Sequence, residues 1–333
     1  MIHQVSSTLV TGANGFVGRA VVEALSSEAK RDVVAAVRQS AFAEVFGRGN
    51  VRVVGGLALD PSSINKGAWC YALEGTDVVV HCAARVHVMS ETATNPLHAF
   101  REVNVDGSLA VARAASQAGV SRFVFVSSIK VLGESTEGRD AFVADDALSP
   151  QDAYGQSKSE AEVALTEFCS QVGMELVIVR PPLVYGPGVG GNFESLLKLA
   201  ESPFPLPFGG LSNRRSMIYL GNLSDVIRRC VDQPGLGSKT FLVSDGDDLS
   251  TTDLFTLARR AFGLGPRLFP VPHRIFRVVG NLTGRSGVVD RLFGSLQVDM
   301  SETERVLSWQ PPFSPEVGIS ETARAYLESK NSV

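Results

Sequence analysis

Cysteine, histidine and long apolar runs are all scarce in this sequence of 333 residues. Its four cysteines form no Cys-x-x-Cys pair, and its five histidines form no His-x-x-x-His pair. The spacings typical of a disulfide framework or a zinc site are therefore missing, and we expect free thiols and no bound metal. No stretch approaches 18 uninterrupted apolar residues, so the sequence predicts no membrane-spanning helix.

The sequence also lacks an excess of positive charge and a secretion signal. Its 31 lysines and arginines against 35 acidic residues give a formal net charge of −4, which argues against a dedicated nucleic-acid-binding domain. No charged N-terminal region precedes a long apolar run, so we expect a cytoplasmic location. With 44% hydrophobic and 20% charged residues, the composition is that of a globular protein of one large or two modest domains.

What the sequence does contain is an alternation of short apolar runs with helical patterns. The runs lie at residues 7–10, 33–37, 51–54, 78–82, 123–126 and 176–179. Continuous apolar runs are typical of parallel strands buried on both faces. We therefore predict an α/β fold in which residues 1–180 form a Rossmann-type, doubly wound parallel sheet that binds a dinucleotide. Prolines and glycines crowd the chain beyond this point, so we expect 181–333 to form mainly a smaller, mixed substrate-binding lobe, with some segments returning to the first domain.

A glycine-rich loop follows the first predicted strand and opens the first predicted helix. Gly12 permits a tight turn, Gly15 lets the backbone approach a pyrophosphate, and Gly18 lets the helix pack closely on the strand. The N-terminus of the helix adds free N–H groups and the positive end of its dipole. The loop predicts cofactor contacts at Gly12, Asn14, Gly15, Phe16, Val17 and Gly18.

The end of the second predicted strand lacks the acidic residue that usually binds the adenine ribose of NAD. Asp32 precedes this strand, and the residue just after it is Arg38. A guanidinium there suits the extra 2′-phosphate of NADP, although a solvated arginine would give the same pattern. The sequence therefore favours NADP(H) slightly over NAD(H), with Arg38 as a cofactor contact.

Tyr154 and Lys158 are four residues apart and would share one face of a helix. A tyrosine whose usual pKa is near 10 is a poor proton shuttle at neutral pH, but a neighbouring ammonium favours its phenolate and can lower that pKa. The pair can thus serve as acid or base. The spacing is common by chance, and it gains meaning from the preceding glycine loop and from the strand that ends in Ser127 and Ser128.

Four motifs in order resemble the extended short-chain dehydrogenase/reductase superfamily, in its NAD-dependent epimerase/dehydratase branch that acts on nucleotide sugars. They are residues 11–18, the Ser127-Ser128 strand end, Tyr154-x-x-x-Lys158 and residues 180–187. The resemblance implies that Tyr154 exchanges a proton with a sugar oxygen, that Lys158 also holds the nicotinamide ribose, and that Ser128 hydrogen-bonds the reacting oxygen. It further implies cofactor contacts at Ala83, Ala84, Tyr154, Lys158 and Pro181.

The same resemblance implies a UDP-sugar substrate. Arg215 matches a diphosphate-binding arginine, for which a charge-assisted hydrogen bond to phosphate is the physical reason. Asn192 matches an amide that contacts UDP, and residues 205–208 resemble a backbone strip beside uracil. Weaker matches suggest a second diphosphate contact and two residues facing the sugar, although a solvated or paired role is open for each. The expected substrate contacts are His87, Lys130, Asn192, Phe208, Arg215 and Arg291.

Several reactions are open to such a protein. Nucleotide-sugar 4,6-dehydratases carry Asp-Glu directly after the catalytic hydroxyl, where this sequence has Ile129 and Lys130, so dehydration is disfavoured. Several segments look most like bacterial UDP-4-keto-6-deoxy-N-acetylhexosamine 4-reductases of surface polysaccharide synthesis, and Arg38 agrees with an exchangeable NADPH. We therefore expect reduction at sugar C4.

Two alternatives to the reductase stay open. A UDP-glucose or UDP-GlcNAc 4-epimerase shares the same serine, tyrosine and lysine, and so these residues do not separate it from a reductase. A cofactor-sensing protein without catalysis is disfavoured because Tyr154 and Lys158 are both present. Relatives commonly dimerise through the helix that carries these two residues, so a homodimer is expected.

Overall fold

The computed structural model describes residues 5–27, 31–39, 49–60, 64, 67–86, 95–272, 274–276 and 292–331. His87 and Arg291, two of the expected substrate contacts, lie outside these residues.

The described residues form eleven strands. In chain order they are β1 (Ser7–Thr11), β2 (Asp32–Ala36), β3 (Val51–Val54), β4 (Val78–His81), β5 (Arg122–Val126), β6 (Glu175–Arg180), β7 (Leu183–Tyr185), β8 (Leu206–Gly209), β9 (Met217–Tyr219), β10 (Lys239–Leu242) and β11 (Leu268–Pro270). Seven of them make one sheet in the order β10-β6-β5-β4-β1-β2-β3, with every pair parallel. The Rossmann-type doubly wound α/β fold is confirmed.

Ten α-helices accompany the strands in the described part of the chain. They are α1 (Phe16–Ser26), α2 (Ala68–Leu73), α3 (Pro96–Arg101), α4 (Ser108–Gln117), α5 (Ala153–Val172), α6 (Gly191–Ala200), α7 (Leu220–Asp232), α8 (Thr251–Ala261), α9 (Ser301–Leu307) and α10 (Pro315–Asn331). A π-helical turn, Glu102–Gly107, joins α3 to α4, and a 3₁₀ turn, Ile129–Val131, follows β5. Among these described helices, none has both the length and the apolarity needed to cross a bilayer.

The sheet is covered on both faces, which explains why its strands are apolar without alternation. One face of the sheet packs with α1 and α7 around residues such as Val10, Val33 and Val80. The other face packs with α2, α4 and α5 around residues such as Leu9 and Val79. Because the strands are also parallel, the polar groups that follow them collect at the carboxyl edge of the sheet.

The chain beyond β6 builds a second core and also returns to the main sheet. Strand β10 pairs with β6 at the sheet edge, and α7 contacts α1. Just beyond β10, the buried carboxylate of Asp245 accepts hydrogen bonds from the Tyr185 hydroxyl (2.6 Å), the Tyr219 backbone N–H (2.7 Å) and the Asn222 amide (2.7 Å). Asp245 thus ties β7, β9 and α7 to the end of β10.

The second core lies between α6, α8, α10 and the paired strands β8 and β11. Phe208 on β8 is 5% exposed and stacks on Phe255 of α8, with ring centroids 4.3 Å apart. Its carbonyl accepts a hydrogen bond of 2.6 Å from the Thr252 hydroxyl. The Phe208 ring therefore points into this core, and the contact of the backbone at 205–208 with uracil stays a prediction.

Replacing Phe208 with alanine should lower the free energy of unfolding by about 3–5 kcal/mol, the usual cost of emptying a buried aromatic site. Phe204 is the matched control because it is 72% exposed, and Phe204→Ala should change the stability by less than about 0.5 kcal/mol. Urea denaturation measures both. Equal losses in the two variants would contradict the burial of Phe208.

Candidate active site

The expected site residues follow four neighbouring strands at one edge of the sheet. Gly12 comes directly after β1, Ala83 soon after β4, Ser128 soon after β5 and Pro181 directly after β6. Between β1 and β4 the strand order reverses direction along the chain. Ligands of open α/β sheets bind at such a switch point, outside the carboxyl ends of the strands.

Backbones approach closely in the glycine loop after β1. Gly12 has φ +64°, and a Cβ there would lie 2.8 Å from the Ala83 Cα. A Cβ on Gly18 would lie 2.7 Å from the carbonyl carbon of Gly12. Gly15 precedes α1 in extended backbone, and no side chain caps the helix there. The loop therefore presents an open helix N-terminus with no side chain in the way, which fits the pyrophosphate of a dinucleotide.

Arg38 lies exposed just beyond the carboxyl end of β2, whereas Asp32 is the first residue of that strand. The two side chains are thus at opposite ends of β2, as expected. Ala83 and Ala84 are half-buried, and the Ala83 N–H donates to the Thr11 hydroxyl at 3.2 Å. These positions suit the cofactor contacts predicted for them, which stay predictions.

The two serines after β5 have different surroundings. Ser127 is buried, and its hydroxyl donates to the Glu162 carboxylate at 2.5 Å. Ser128 is half-buried, and its Oγ accepts the Lys130 backbone N–H at 3.3 Å, where it caps the 3₁₀ turn. Ser127 is therefore committed to an interior partner, and the geometry favours Ser128 as the serine that meets a substrate.

Tyr154 and Lys158 lie one turn apart near the start of α5, as the spacing predicts. Asp152 is the N-cap of this helix, and its carboxylate accepts the Gly155 N–H at 2.6 Å. The Tyr154 ring packs edge-on against Phe100, with ring centroids 6.1 Å apart. Burial, and then the charge of Asp152, raise the pKa of Tyr154 to about 12.

Lys158 is almost fully buried and lies beneath the end of β5. Its ammonium donates to the Val126 carbonyl at 2.7 Å and lies 3.9 Å from the centroid of the Phe125 ring. Burial lowers the pKa of Lys158 to about 7, against the opposing charge of Glu162. The expected lowering of the Tyr154 pKa by Lys158 does not hold here, because burial and Asp152 dominate that pKa and the ammonium is directed toward β5.

The expected substrate contacts divide among different surroundings. Asn192 lies exposed in the first turn of α6. Arg215 is half-buried and donates to the Gly294 carbonyl at 2.9 Å. Lys130 was expected to face the sugar, but its ammonium binds the carboxylates of Glu134 (2.9 Å) and Asp152 (2.5 Å). The charge of Lys130 is thus paired with two carboxylates, and its contact with the sugar stays a prediction.

A buried chain of hydrogen bonds begins at the glycine loop and runs through His81. The Thr11 hydroxyl is 2.9 Å from the His81 Nδ1, and the His81 Nε2 is 3.0 Å from the Ser108 hydroxyl. His81 is completely buried, and burial, followed by the charge of Lys158, lowers its pKa to about 3. His81 is therefore a neutral group that links β1 to α4.

The same chain continues to the helix that carries Tyr154. The Ser108 hydroxyl donates to the Asn104 carbonyl at 2.7 Å, and the Asn104 amide donates to the Ser157 hydroxyl at 2.9 Å. The Ser157 hydroxyl in turn donates to the Tyr154 carbonyl at 2.8 Å. Asn104 went unnoticed in the sequence, although a π-helical turn of the kind that holds it often marks a functional site.

Glu162 and Arg180 form a second interior network that sequence reasoning missed. They make a buried ion pair at 2.7 Å beside Ser127, and Arg180 also donates to the Ala144 carbonyl at 2.8 Å. The spacing held a signal, because Glu162 lies one helical turn beyond Lys158 on the same face of α5. No group of three or more His, Cys, Asp or Glu side chains suited to a metal ion occurs in the part of the chain that the structure describes.

Gly18→Ala should weaken the binding of NAD and NADP and lower stability by about 1–3 kcal/mol, because the added methyl group overpacks the turn against Gly12. Gly265→Ala is the matched control, since a Cβ there meets open space. Calorimetric titration with both dinucleotides and thermal melting measure the effects. If Gly18→Ala bound and melted like Gly265→Ala, the close approach would be disproved.

His81 should make the protein lose stability as the pH falls. Its pKa is about 3 in the folded protein and 6.5 when unperturbed, so below pH 6.5 only the unfolded chain gains the proton. Unfolding is then favoured by up to about 1.4 kcal/mol for each pH unit between 6.5 and 3. Urea denaturation at several pH values should give a shallower loss for His81→Gln. Parallel losses in the two proteins would rule out this role for His81.

Comparisons with known proteins agree with this geometry. Residues 8–243 match the model of the NAD dependent epimerase/dehydratase family. The chain is 42% identical over 327 residues to a protein of Vibrio cholerae named UDP-glucose 4-epimerase, covering 98% of this chain and 97% of that one. It is 26% identical to N-acetyl-alpha-D-glucosaminyl-diphospho-ditrans,octacis-undecaprenol 4-epimerase of Escherichia coli O157:H7, covering 85% of this chain and 82% of that one.

A solved structure has the same fold. The UDP-glucuronic acid 4-epimerase of Bacillus cereus, in complex with NAD, superposes with a TM-score of 0.75 at 18% identity, covering 97% of this chain and 99% of that one. The family match covers more than half of the chain, and the Vibrio cholerae relative aligns over nearly all of it. The chain therefore belongs to the NAD-dependent epimerase/dehydratase family of extended short-chain dehydrogenases/reductases.

Proposed function

We propose that this protein interconverts the C4 epimers of a UDP-linked hexose. The observation that carries the proposal is the 42% identity to a UDP-glucose 4-epimerase along 98% of the chain. The positions of Ser128, Tyr154 and Lys158 around the end of β5 support it. UDP-glucose and UDP-GlcNAc are the two candidate substrates.

NAD is the cofactor we propose. The loop at Gly12 and Gly18 fits a dinucleotide because neither position has room for a side chain. The Bacillus cereus epimerase of the same fold was solved with NAD, whereas the slight preference for NADP predicted from Arg38 gains no such support. When bound, the nicotinamide would accept a hydride from the sugar carbon and return it. The chain would hold the cofactor through residues 12–18, Arg38, Ala83, Ala84, Lys158 and Pro181.

The proton is the part of the reaction that this chain's own side chains carry. Oxidation at C4 removes a hydride from the carbon and a proton from its hydroxyl, and reduction returns the hydride to the opposite face of C4 and the proton to the oxygen. Tyr154 takes the hydroxyl proton and gives it back, while the Ser128 hydroxyl hydrogen-bonds the same oxygen. Hydride and proton are both restored, so the net reaction inverts one carbon and consumes no cofactor.

The phenol of Tyr154 is protonated at neutral pH, with a pKa of about 12 in the protein alone. Protonated Tyr154 can return a proton to the sugar oxygen. To take the proton from the sugar hydroxyl, Tyr154 must first be a phenolate, which a nearby positive charge stabilises. We propose that Lys158, one turn along α5, supplies that charge once substrate and cofactor are bound, since in the protein alone its ammonium donates to the Val126 carbonyl. Its low pKa of about 7 makes the charge sensitive to pH in the range where the enzyme would work.

The UDP portion would be held mainly by the chain beyond β6. Arg215 and Asn192 are the proposed contacts, through the diphosphate and the nucleoside respectively. We propose accordingly that residues 1–180 serve as the dinucleotide-binding domain and 181–333 mainly as the substrate lobe. Homodimer formation and cytoplasmic location stay predictions.

The decisive experiment supplies purified protein with UDP-glucose and, separately, UDP-GlcNAc, and separates the products by chromatography. Interconversion with the galacto epimer and no net change in nicotinamide absorbance is expected. A parallel reaction holds UDP-4-keto-6-deoxy-GlcNAc with NADPH or NADH. Stoichiometric loss of NADPH there, with no interconversion of either hexose, would replace the epimerase by the 4-reductase expected from the sequence.

Tyr154→Phe should lower turnover by about 10²–10⁴-fold, the usual contribution of a positioned acid/base. Its binding of NAD should be nearly unchanged, because only the hydroxyl is removed. Tyr71→Phe is the matched control, since Tyr71 lies on α2 and is 56% exposed. Full turnover by Tyr154→Phe would refute the proposed proton transfer.

A further inference from the structure

Lys130 connects the two segments that carry Ser128 and Tyr154. Its ammonium binds Asp152 at 2.5 Å and Glu134 at 2.9 Å, and these three side chains are each about 30% exposed: 31% for Lys130 and Asp152 and 29% for Glu134. Partly withdrawn from water, the ion pairs are screened less than surface pairs. Lys130 therefore has a defined position between the turn after β5 and the start of α5.

Each end of the Lys130–Asp152 pair is also hydrogen-bonded within a segment that carries a proposed catalytic residue. At one end, the Lys130 backbone N–H donates to the Ser128 Oγ at 3.3 Å. At the other end, the Asp152 carboxylate accepts the Gly155 N–H at 2.6 Å, and Tyr154 lies between those two residues. A single ion pair thus joins the Ser128 turn to the first turn of the Tyr154 helix.

The backbones of the two segments are also in close contact. A Cβ on Gly155 would lie 2.8 Å from the Lys130 carbonyl oxygen. Glycine at 155 therefore allows the first turn of α5 to rest directly on the turn after β5. Backbone contact alone would let the helix slide across the turn. The Lys130–Asp152 ion pair fixes its lateral position.

We propose that Lys130 and Asp152 are positioning residues that hold the Ser128 hydroxyl and the Tyr154 hydroxyl at a fixed separation for the proton transfer. The inference rests on the proposed function and extends it to two residues that would act on the reaction through Ser128 and Tyr154. In the sequence, Lys130 was expected to face the sugar.

The pair also sets the charge beside Tyr154. Its own helix contributes Asp152 and Lys158, and the preceding turn contributes Lys130 and Glu134. Beyond Phe100, which packs on the Tyr154 ring, the guanidinium of Arg85 lies 5.7 Å from the Phe100 centroid. Of these groups, Asp152 raises the pKa of Tyr154 by its charge, and Lys130, paired with Asp152, carries the opposite charge.

The two halves of the pair should therefore shift the titration of Tyr154 in opposite directions. Lys130→Met leaves the Asp152 charge uncompensated and should move the tyrosinate transition to higher pH. Asp152→Asn removes that charge and should move the transition to lower pH. Ultraviolet titration, with the Tyr154→Phe signal subtracted, measures both shifts without any substrate. Opposite shifts would show that the charges of the pair act on Tyr154, and turnover then tests whether the pair also positions it.

Turnover provides the second readout. Lys130→Met should lower kcat by about 10–10²-fold with little change in KM, since misplacing a reacting group by about 1 Å can cost that much. Lys130→Arg should recover most of the loss because it keeps the ion pair. Lys330→Met and Asp299→Asn are the matched controls: Lys330 pairs with Glu201, and Asp299 accepts the Ser301 N–H at the start of α9.

Opposite shifts of the titration together with the loss of kcat would support the proposal. Shifts in the same direction, absence of both shifts, or an unchanged kcat in folded Lys130→Met would overturn it. If no UDP-hexose is interconverted, the proposed function fails, and kcat is then taken from whichever sugar reaction the protein performs. The titration still tests the pair on its own, and Lys130→Arg covers the case in which the methionine variant does not fold.

Discussion

The site depends first on how closely three pieces of backbone meet at the carboxyl end of β1. Gly12 lies against Ala83, and Gly18 lies against Gly12, with no room for a side chain at either glycine. This contact brings the start of α1 to the place where the strand order reverses. A dinucleotide pyrophosphate can approach only because the backbone N–H groups are uncovered there. The other site residues are useful because they surround this point.

Buried polar networks then connect that point to the residues of proton transfer. One runs from Thr11 through His81 and Asn104 to the helix of Tyr154. The other joins Glu162 and Arg180 beneath the serines after β5. Buried polar groups cost free energy unless they are paired, so such networks specify one arrangement of the elements that they join. The geometry proposed for proton transfer is thus set by the interior beneath the site as well as by its surface.

The partly buried charges give the site its electrostatic character. Tyr154 is raised in pKa and Lys158 is lowered, both mainly by burial. Asp152 has two opposing effects. It stabilises α5 as its N-cap, and its negative charge disfavours the phenolate of Tyr154. Lys130 pairs with this cap and so places a positive charge beside it. A helix cap and a proton-transfer group can in this way occupy neighbouring positions.

The sequence by itself determined the sheet, the glycine loop and the Tyr154–Lys158 spacing. These features are local: an apolar run, a turn that needs glycine, and two residues one helical turn apart carry their structural meaning within a few positions. The family resemblance also followed from such local motifs, and the comparisons confirm it. The choice between reductase and epimerase did not follow, because both reactions use the same serine, tyrosine and lysine.

Only the tertiary structure decided the partners of individual polar side chains. Lys130 meets Asp152 across 22 positions of sequence, and the Asn104 amide meets the Ser157 hydroxyl across 53. In the sequence, Phe208 belongs to a segment that resembles a substrate-binding strip. Its ring lies in a core because α8 covers β8. Hydrogen bonds and ion pairs act over a few ångströms, and the fold alone determines which distant residues come within that range.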